Sequence, residues 1–184
     1  MEDWERAVTV LGLQIADLTE QVTALQNVVR TQRVVLVDEN GETRAGLHTD
    51  GSAVALVLFD ENGNTRTTLF VGKEGPGLAL SDENGNTRTS LVVGEDGTGL
   101  TGLNLYDANG ANRAGLATDD SGPGLVLADE TGTVRAFLAV GKGYPGLTLH
   151  DENGETRVGL VVGNRGPALG LFDENGDVVY EAPS

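Results

Sequence analysis

Asp60-Glu-Asn-Gly-Asn-Thr-Arg66 returns as Asp82-Glu-Asn-Gly-Asn-Thr-Arg88 and, with one change, as Asp151-Glu-Asn-Gly-Glu-Thr-Arg157. Looser copies bring the total to seven. Their leading residues are Asp38, Asp60, Asp82, Asp107, Asp129, Asp151 and Asp173, spaced by 22 residues except for one step of 25. A fixed period in the twenties marks an array whose units bury their apolar faces only by stacking.

The residues around each aspartate define one unit. Two positions before it stand Leu36, Leu58, Leu80, Leu105, Leu127, Leu149 and Leu171, and four before it Val34, Leu56, Leu78, Leu103, Leu125, Leu147 and Leu169. That alternation predicts a short half-buried strand. Three positions after it come Gly41, Gly63, Gly85, Gly110, Gly132, Gly154 and Gly176. An aspartate acceptor at the first turn position with glycine at the fourth fits a type I turn whose glycine is left-handed. Leu47, Leu69, Leu91, Leu116, Leu138 and Leu160 follow nine residues past the aspartate, so a second strand runs back.

Gly75-Pro76-Gly77, Gly97-Thr98-Gly99, Gly122-Pro123-Gly124, Pro145-Gly146 and Gly166-Pro167 are expected to turn the chain again between units. The whole reads as a meander of about fourteen strands. A four-residue loop gathers the leucines on one face and sets Phe59 opposite Arg66, Tyr106 opposite Arg113 and His150 opposite Arg157. A three-residue loop shifts the register and puts arginine on the leucine face. The first pairing is preferred because it collects the apolar side chains.

A single layer with one leucine-rich face must close on something. The preferred fold class is mainly β with an N-terminal helix: 22-residue hairpin repeats forming a trimeric β-prism stalk behind a parallel coiled coil. The alternative is a monomeric β-solenoid with one coil per unit. Fourteen crosswise layers span about 65 Å and seven coils about 34 Å.

Residues 1–32 carry a different period and form the first expected domain, with 33–184 as the second. Val8, Ile15, Val22 and Val29 occupy a positions and Trp4, Leu11, Leu18 and Leu25 occupy d positions, four heptads in all. Such a stripe predicts an oligomerisation helix. Branched residues at a with leucine at d lean toward a dimer, whereas the uncharged e and g positions Gly12, Gln14, Thr19, Gln21 and Gln26 supply no zipper ion pairs. The repeat region favours three copies.

Bulk composition excludes more than it assigns. With 28 acidic residues against 12 basic ones the formal charge is -16, a field that disfavours nucleic acid and anionic membranes. There is no cysteine, so disulfides and thiol chemistry are out. No signal peptide or membrane span is visible.

Arg44, Arg66, Arg88, Arg113, Arg135 and Arg157, each six residues after its aspartate, are read as a ladder offsetting carboxylate repulsion. Val179 replaces the seventh, and Pro183 close behind suggests an end cap. Glycine stands fourth in the repeat, not sixth as in an EF-hand loop, so no metal residue is assigned. His48 and His150 have no partners for catalysis, and no cofactor motif occurs. No catalytic or cofactor residue is therefore expected. A second reading is a ligand-binding β-solenoid module, recognising a glycan or ice through Thr65, Thr67, Thr87, Thr89 and Thr156, or calcium through the Asp-Glu-Asn-Gly turns.

A heptad segment leading into glycine-punctuated β-repeats resembles the stalks of trimeric phage tail fibres and trimeric bacterial surface adhesins. The likeness runs from Trp4 to Val29 as clamp and from Asp38 to Gly176 as stalk. It implies a non-enzymatic, elongated homotrimer that spaces or displays other parts, outside the cell or on a virion or cell surface. It carries over no catalytic residues, and nothing after residue 176 corresponds to the receptor-binding tip of such fibres.

Overall fold

The computed structural model describes residues 2–27, 31–73, 75–94, 101–141 and 143–183, and within the helix the side chains of residues 4–22. It divides into two compact units, 1–32 and 33–184. The first is a helix, α1 (Glu2–Asn27), about 39 Å long at 1.5 Å per residue.

The second unit is one antiparallel sheet of fourteen strands in sequence order. The strands are β1 (Arg33–Val37), β2 (Thr43–Thr49), β3 (Val54–Phe59), β4 (Thr65–Gly72), β5 (Gly75–Ser81), β6 (Thr87–Val93) and β7 (Thr101–Tyr106). They continue as β8 (Asn112–Asp119), β9 (Gly122–Ala128), β10 (Val134–Val140), β11 (Pro145–His150), β12 (Thr156–Gly163), β13 (Gly166–Phe172) and β14 (Val178–Ala182). Each strand touches only the strands before and after it. The sheet is therefore an open single layer, and a solenoid-like stacking of units is compatible with it.

Period-2 sequence explains the layer's two faces. On the first face Val34 pairs with Leu47, Leu47 with Leu56, Leu56 with Leu69, and the chain of partners continues through Leu78, Leu91, Leu103, Leu116, Leu125, Leu138, Leu147 and Leu160 to Leu169. One leucine thus stands on each strand from β2 to β13 in an unbroken row. Beside it a second row sets a leucine against a smaller residue in six units, Leu36 with Ala45, Leu58 with Thr67, Leu80 with Thr89, Leu105 with Ala114, Leu127 with Ala136 and Leu149 with Val158, and ends on the larger pair Leu171 with Tyr180.

The other face carries smaller side chains and covers part of itself. Phe70 lies across Gly77, its register partner, so closely that a Cβ there would collide with the ring. The rings of Phe137 and Phe172 sit beside Gly124 and Gly170 in the same manner. Aromatic cover of a strand glycine supplies the apolar contact that the glycine lacks.

Two expectations need correction. The glycine-proline segments do not make the turns between units. Gly75, Gly122 and Gly166 open β5, β9 and β13, and two-residue loops precede them, Asp120-Ser121 and Asn164-Arg165 among these. Proline at the second strand position sits where a missing N–H is tolerated. The expected turn Gly97-Thr98-Gly99 lies outside the described residues.

The second correction concerns register at the repeat turn. Phe59 pairs with Thr65, Tyr106 with Asn112 and His150 with Thr156, not with the arginines. One residue further from the turn, Leu58 pairs with Thr67, Leu105 with Ala114 and Leu149 with Val158. A β-bulge stands between the two registers. The turn closes as a three-residue loop, and the bulge restores the register of a four-residue loop, which keeps the leucines together.

Candidate functional site

The repeat turn is the most regular local structure in the chain. In all seven copies the aspartate N–H donates to the carbonyl four residues on, at 2.9–3.0 Å, and the glycine N–H donates back to the aspartate carbonyl at 3.0–3.2 Å. The aspartate Oδ1 accepts from the N–H groups two and four residues ahead, at 2.8–3.1 Å. The seven glycines Gly41, Gly63, Gly85, Gly110, Gly132, Gly154 and Gly176 have φ between +81° and +86°. Side chains with a Cβ are disfavoured there, so the Asp-x-x-Gly spacing is a backbone requirement.

The bulged residue is the repeat arginine: Arg44, Arg66, Arg88, Arg113, Arg135 and Arg157 in six units, and Val179 in the seventh. Being outside the ladder, its side chain can reach in two directions. One amino group meets the remaining oxygen of its own unit's aspartate: Arg66 to Asp60 at 3.5 Å, Arg88 to Asp82 at 3.6 Å, Arg113 to Asp107 at 3.3 Å, Arg135 to Asp129 at 3.1 Å, and Arg157 to Asp151. Nε donates to the strand-end carbonyl of the next unit, with Arg66 on Ser81, Arg88 on Tyr106, Arg113 on Ala128 and Arg135 on His150, each at 3.0 Å. Arg157 donates instead from its amino groups to the carbonyls of Asp173 and Glu174. Arg44 occupies the same bulge without an ion pair to Asp38.

The expected charge ladder is thus a set of staples between consecutive hairpins. The sequence reading missed the carbonyl half of each staple, because the acceptor is a backbone atom some fifteen residues ahead with no side-chain signature.

These bonds hold the carboxylates in their charged form. The Asp129 carboxyl is lowered to about 2 by the Thr131 hydroxyl first, then by the N–H groups and Arg135 against some desolvation. Asp50, in the loop between β2 and β3, is lowered to about 2 chiefly by the Ser52 N–H and hydroxyl and the Ala53 N–H. Asp60 is lowered mainly by the Asn64 N–H. For Asp82, Asp107 and Asp151 desolvation is the largest single influence and works upward, but the turn N–H groups and the arginine together outweigh it. Both oxygens of these repeat aspartates are therefore engaged within the fold.

The leucine face has the opposite character. Its central row is open to solvent, with Leu69 at 51% and Leu116 at 54% exposed. Leu36, Leu58, Leu80, Leu105, Leu127 and Leu149 are exposed too, and Leu171 is half-buried. Val54, Val71, Val140 and Val162 extend the open surface toward the other hairpin edge. Among the described residues, Ala45 is the only apolar side chain that is buried.

The heptad stripe is open in the same way. Trp4, Val8, Leu11, Ile15, Leu18 and Val22 are each more than half exposed. Leu25 lies within α1, but its side chain is not described, and Val29 lies outside the described residues. Each unit thus carries an exposed apolar stripe. No protein family matches the sequence, and no curated protein is similar to it.

Proposed function

We propose that the chain is a non-enzymatic structural protein, a homotrimeric stalk in which three copies bring their leucine faces together around one axis. The observation that carries this reading is the unbroken row of twelve leucines along a single-layer sheet, eight of them exposed and Leu78, Leu125, Leu147 and Leu169 half-buried, with Ala45 the one buried apolar side chain among the described residues. Apolar patches beyond a few hundred square ångströms are rare on monomers and mark interaction surfaces. Fully burying a leucine contributes about 1.5–3 kcal/mol, so even partial cover along twelve of them is a substantial driving force for association.

The shape of that face is compatible with copies related by rotation, and three is the number this reading adopts. Each strand contributes only about three side chains to it, with one leucine at the centre. Adjacent strands also rotate by about 20–25°, so the row winds as it runs. Partners related by rotation about the winding axis stay in contact along the whole row, and cyclic symmetry repeats the same patch on each copy. The mostly uncharged e and g positions of the helix agree with a bundle held by its apolar seam. The turns support the structural reading as well: all seven aspartates accept turn N–H groups and five of them also meet an arginine, which makes them parts of the scaffold.

Light scattering coupled to size exclusion tests this directly. The expected mass is about three times that of the 19.1 kDa chain. A single-chain mass at micromolar concentration overturns the proposal.

A further inference from the structure

Six of the seven repeat turns carry the same dipeptide: Asn40-Gly41, Asn62-Gly63, Asn84-Gly85, Asn109-Gly110, Asn153-Gly154 and Asn175-Gly176. The remaining turn has Thr131-Gly132 in its place. All six asparagines are exposed. An asparagine followed by glycine is open to attack by its own backbone, because the glycine nitrogen has no side chain beside it.

In that reaction the glycine nitrogen adds to the asparagine Cγ and gives up its proton, while the side-chain nitrogen leaves as ammonia. The five-membered succinimide so formed takes up water at either carbonyl and opens to aspartate or isoaspartate. Each event turns a neutral amide into a carboxylate. Isoaspartate also inserts one carbon into the main chain, so a converted turn cannot close as before.

The closed turn opposes the attack. Each glycine N–H donates to the aspartate carbonyl at 3.0–3.2 Å, and each asparagine N–H donates to the aspartate Oδ1 at 2.8–2.9 Å. No described residue other than glycine has a positive φ, so the asparagine fits the third position of a type I turn, with ψ of about 0°. That torsion rotates the Cα–Cβ bond away from the glycine nitrogen, and the ring cannot form. Conversion therefore waits on local opening, whose frequency depends on the bonds that hold each turn.

Those bonds are not equal along the sheet. A turn can be held by its own arginine on the aspartate and by the preceding unit's arginine on a carbonyl at or beside the turn. The turns of Asn84, Asn109 and Asn153 have both. The Asn62 turn has its own arginine alone, and the Asn175 turn, with Val179 at its bulge, has the preceding one alone. Among the described residues the Asn40 turn has neither.

We propose that the six Asn-Gly turns are sites of spontaneous deamidation gated by the arginine staples, so that conversion runs from the least-stapled turn to the most. The staples then protect the chemical integrity of the array, whatever the number of copies that assemble.

The full chain is incubated in mildly alkaline buffer, folded and in concentrated urea, and isoaspartate is mapped peptide by peptide. In urea the six sites are expected to convert at comparable rates. In the folded protein Asn40 is expected first, Asn62 and Asn175 next, and Asn84, Asn109 and Asn153 last. Each staple bond slows its turn about fivefold, the worth of one hydrogen bond between protein groups. Folded rates equal to those in urea overturn the gating, and a folded order that ignores the staples overturns their part in it.

Fraying of the sheet ends would also favour Asn40 and Asn175, so the deciding variant lies inside. Arg88→Met removes one bond from each of two turns and is expected to speed Asn84 and Asn109 about fivefold, with Asn153 and Asn175 unmoved. An equal rise at all six sites is general loosening and overturns the proposal, as does no change. Val179→Arg supplies the missing arginine of the last unit and is expected to slow Asn175 alone. An unaltered rate there overturns the staple's role.

Discussion

The two faces of the sheet are made by the same strands from alternate residues, yet one is furnished by the chain itself and the other is not. On the small-residue face, Phe70 covers Gly77 and Phe172 leans over Gly170, and Asn112 donates to Asn104 at 2.9 Å. On the leucine face the side chains stand in rows with nothing over them. The contrast teaches that backbone pairing and apolar cover are separate requirements here. The hairpins satisfy the first within one chain, while the second is left largely unmet on the leucine face.

The sharpest way to break the comparison is to place the same charge on both faces one residue apart. Leu69 and Thr68 are neighbours in β4 with opposite orientations. Leu69→Asp puts a carboxylate into the central row, where burial without a partner is prohibitive. Sedimentation velocity is expected to show the threefold mass collapsing toward that of one chain. Thr68→Asp is expected to leave the mass unchanged. Equal behaviour of the two variants would mean that the faces do not differ in function.

Acid separates the self-contained hairpin edge from the leucine face. Carboxylates with a folded pKa below the ordinary 3.8, near 2 for Asp129 and Asp50, contribute stability that is fully present above 3.8. That contribution is lost as pH falls through about 2. The melting temperature is therefore expected to hold down to about pH 4 and to fall between 3.8 and 2. A decline complete by pH 4 would show that the turn bonds contribute nothing.

The covered face can be probed by overfilling it. Gly77→Val drives a side chain into the Phe70 ring, a clash of the kind that costs about 1–3 kcal/mol. Phe70→Ala removes the ring and also exposes the strand. If the aromatic cover is real, the double variant is expected to melt close to Phe70→Ala alone, so that the two changes are strongly non-additive. Additive losses would mean that ring and glycine do not meet.

Strand number, leucine face and turn glycines were legible because each depends on spacing along the chain. Leu58 and Leu56 alternate, and Gly63 stands at a fixed distance from Asp60. The bulge was not legible, because both loop lengths considered are present at once, one at the turn and the other beyond it. The bond from Arg135 to the His150 carbonyl depends on that bulge, so it stayed hidden until the register was known. The glycine-proline segments were misplaced for a related reason. Proline is as acceptable near the start of a strand as in a turn, and only the pairing of Gly72 with Gly75 and of Gly163 with Gly166 distinguishes the two. The heptad stripe marks a helix and its apolar side.

The smallest expected effect concerns whether the arginine staple acts by charge or by geometry. Arg135 reaches Asp129 and the His150 carbonyl from one guanidinium, and its side chain is 41% exposed, so the ion pair alone is screened and worth well under 1 kcal/mol. A lysine could keep that pair but has one charged head and cannot serve two acceptors on separate hairpins. If charge were the reason for arginine, Arg135→Lys would be nearly neutral and Arg135→Met would not. The bulge geometry predicts the reverse grouping. Arg135→Lys and Arg135→Met are both expected to lose about 0.5–1 kcal/mol, the worth of one hydrogen bond between protein groups. The loss is read from denaturant midpoints at one fixed protein concentration, since assembly couples stability to concentration. It should change little between low and high salt, because a bond from Nε to a neutral carbonyl is less exposed to screening than an ion pair. A loss that vanishes in high salt would return the arginines to the simpler role of balancing carboxylates along the edge.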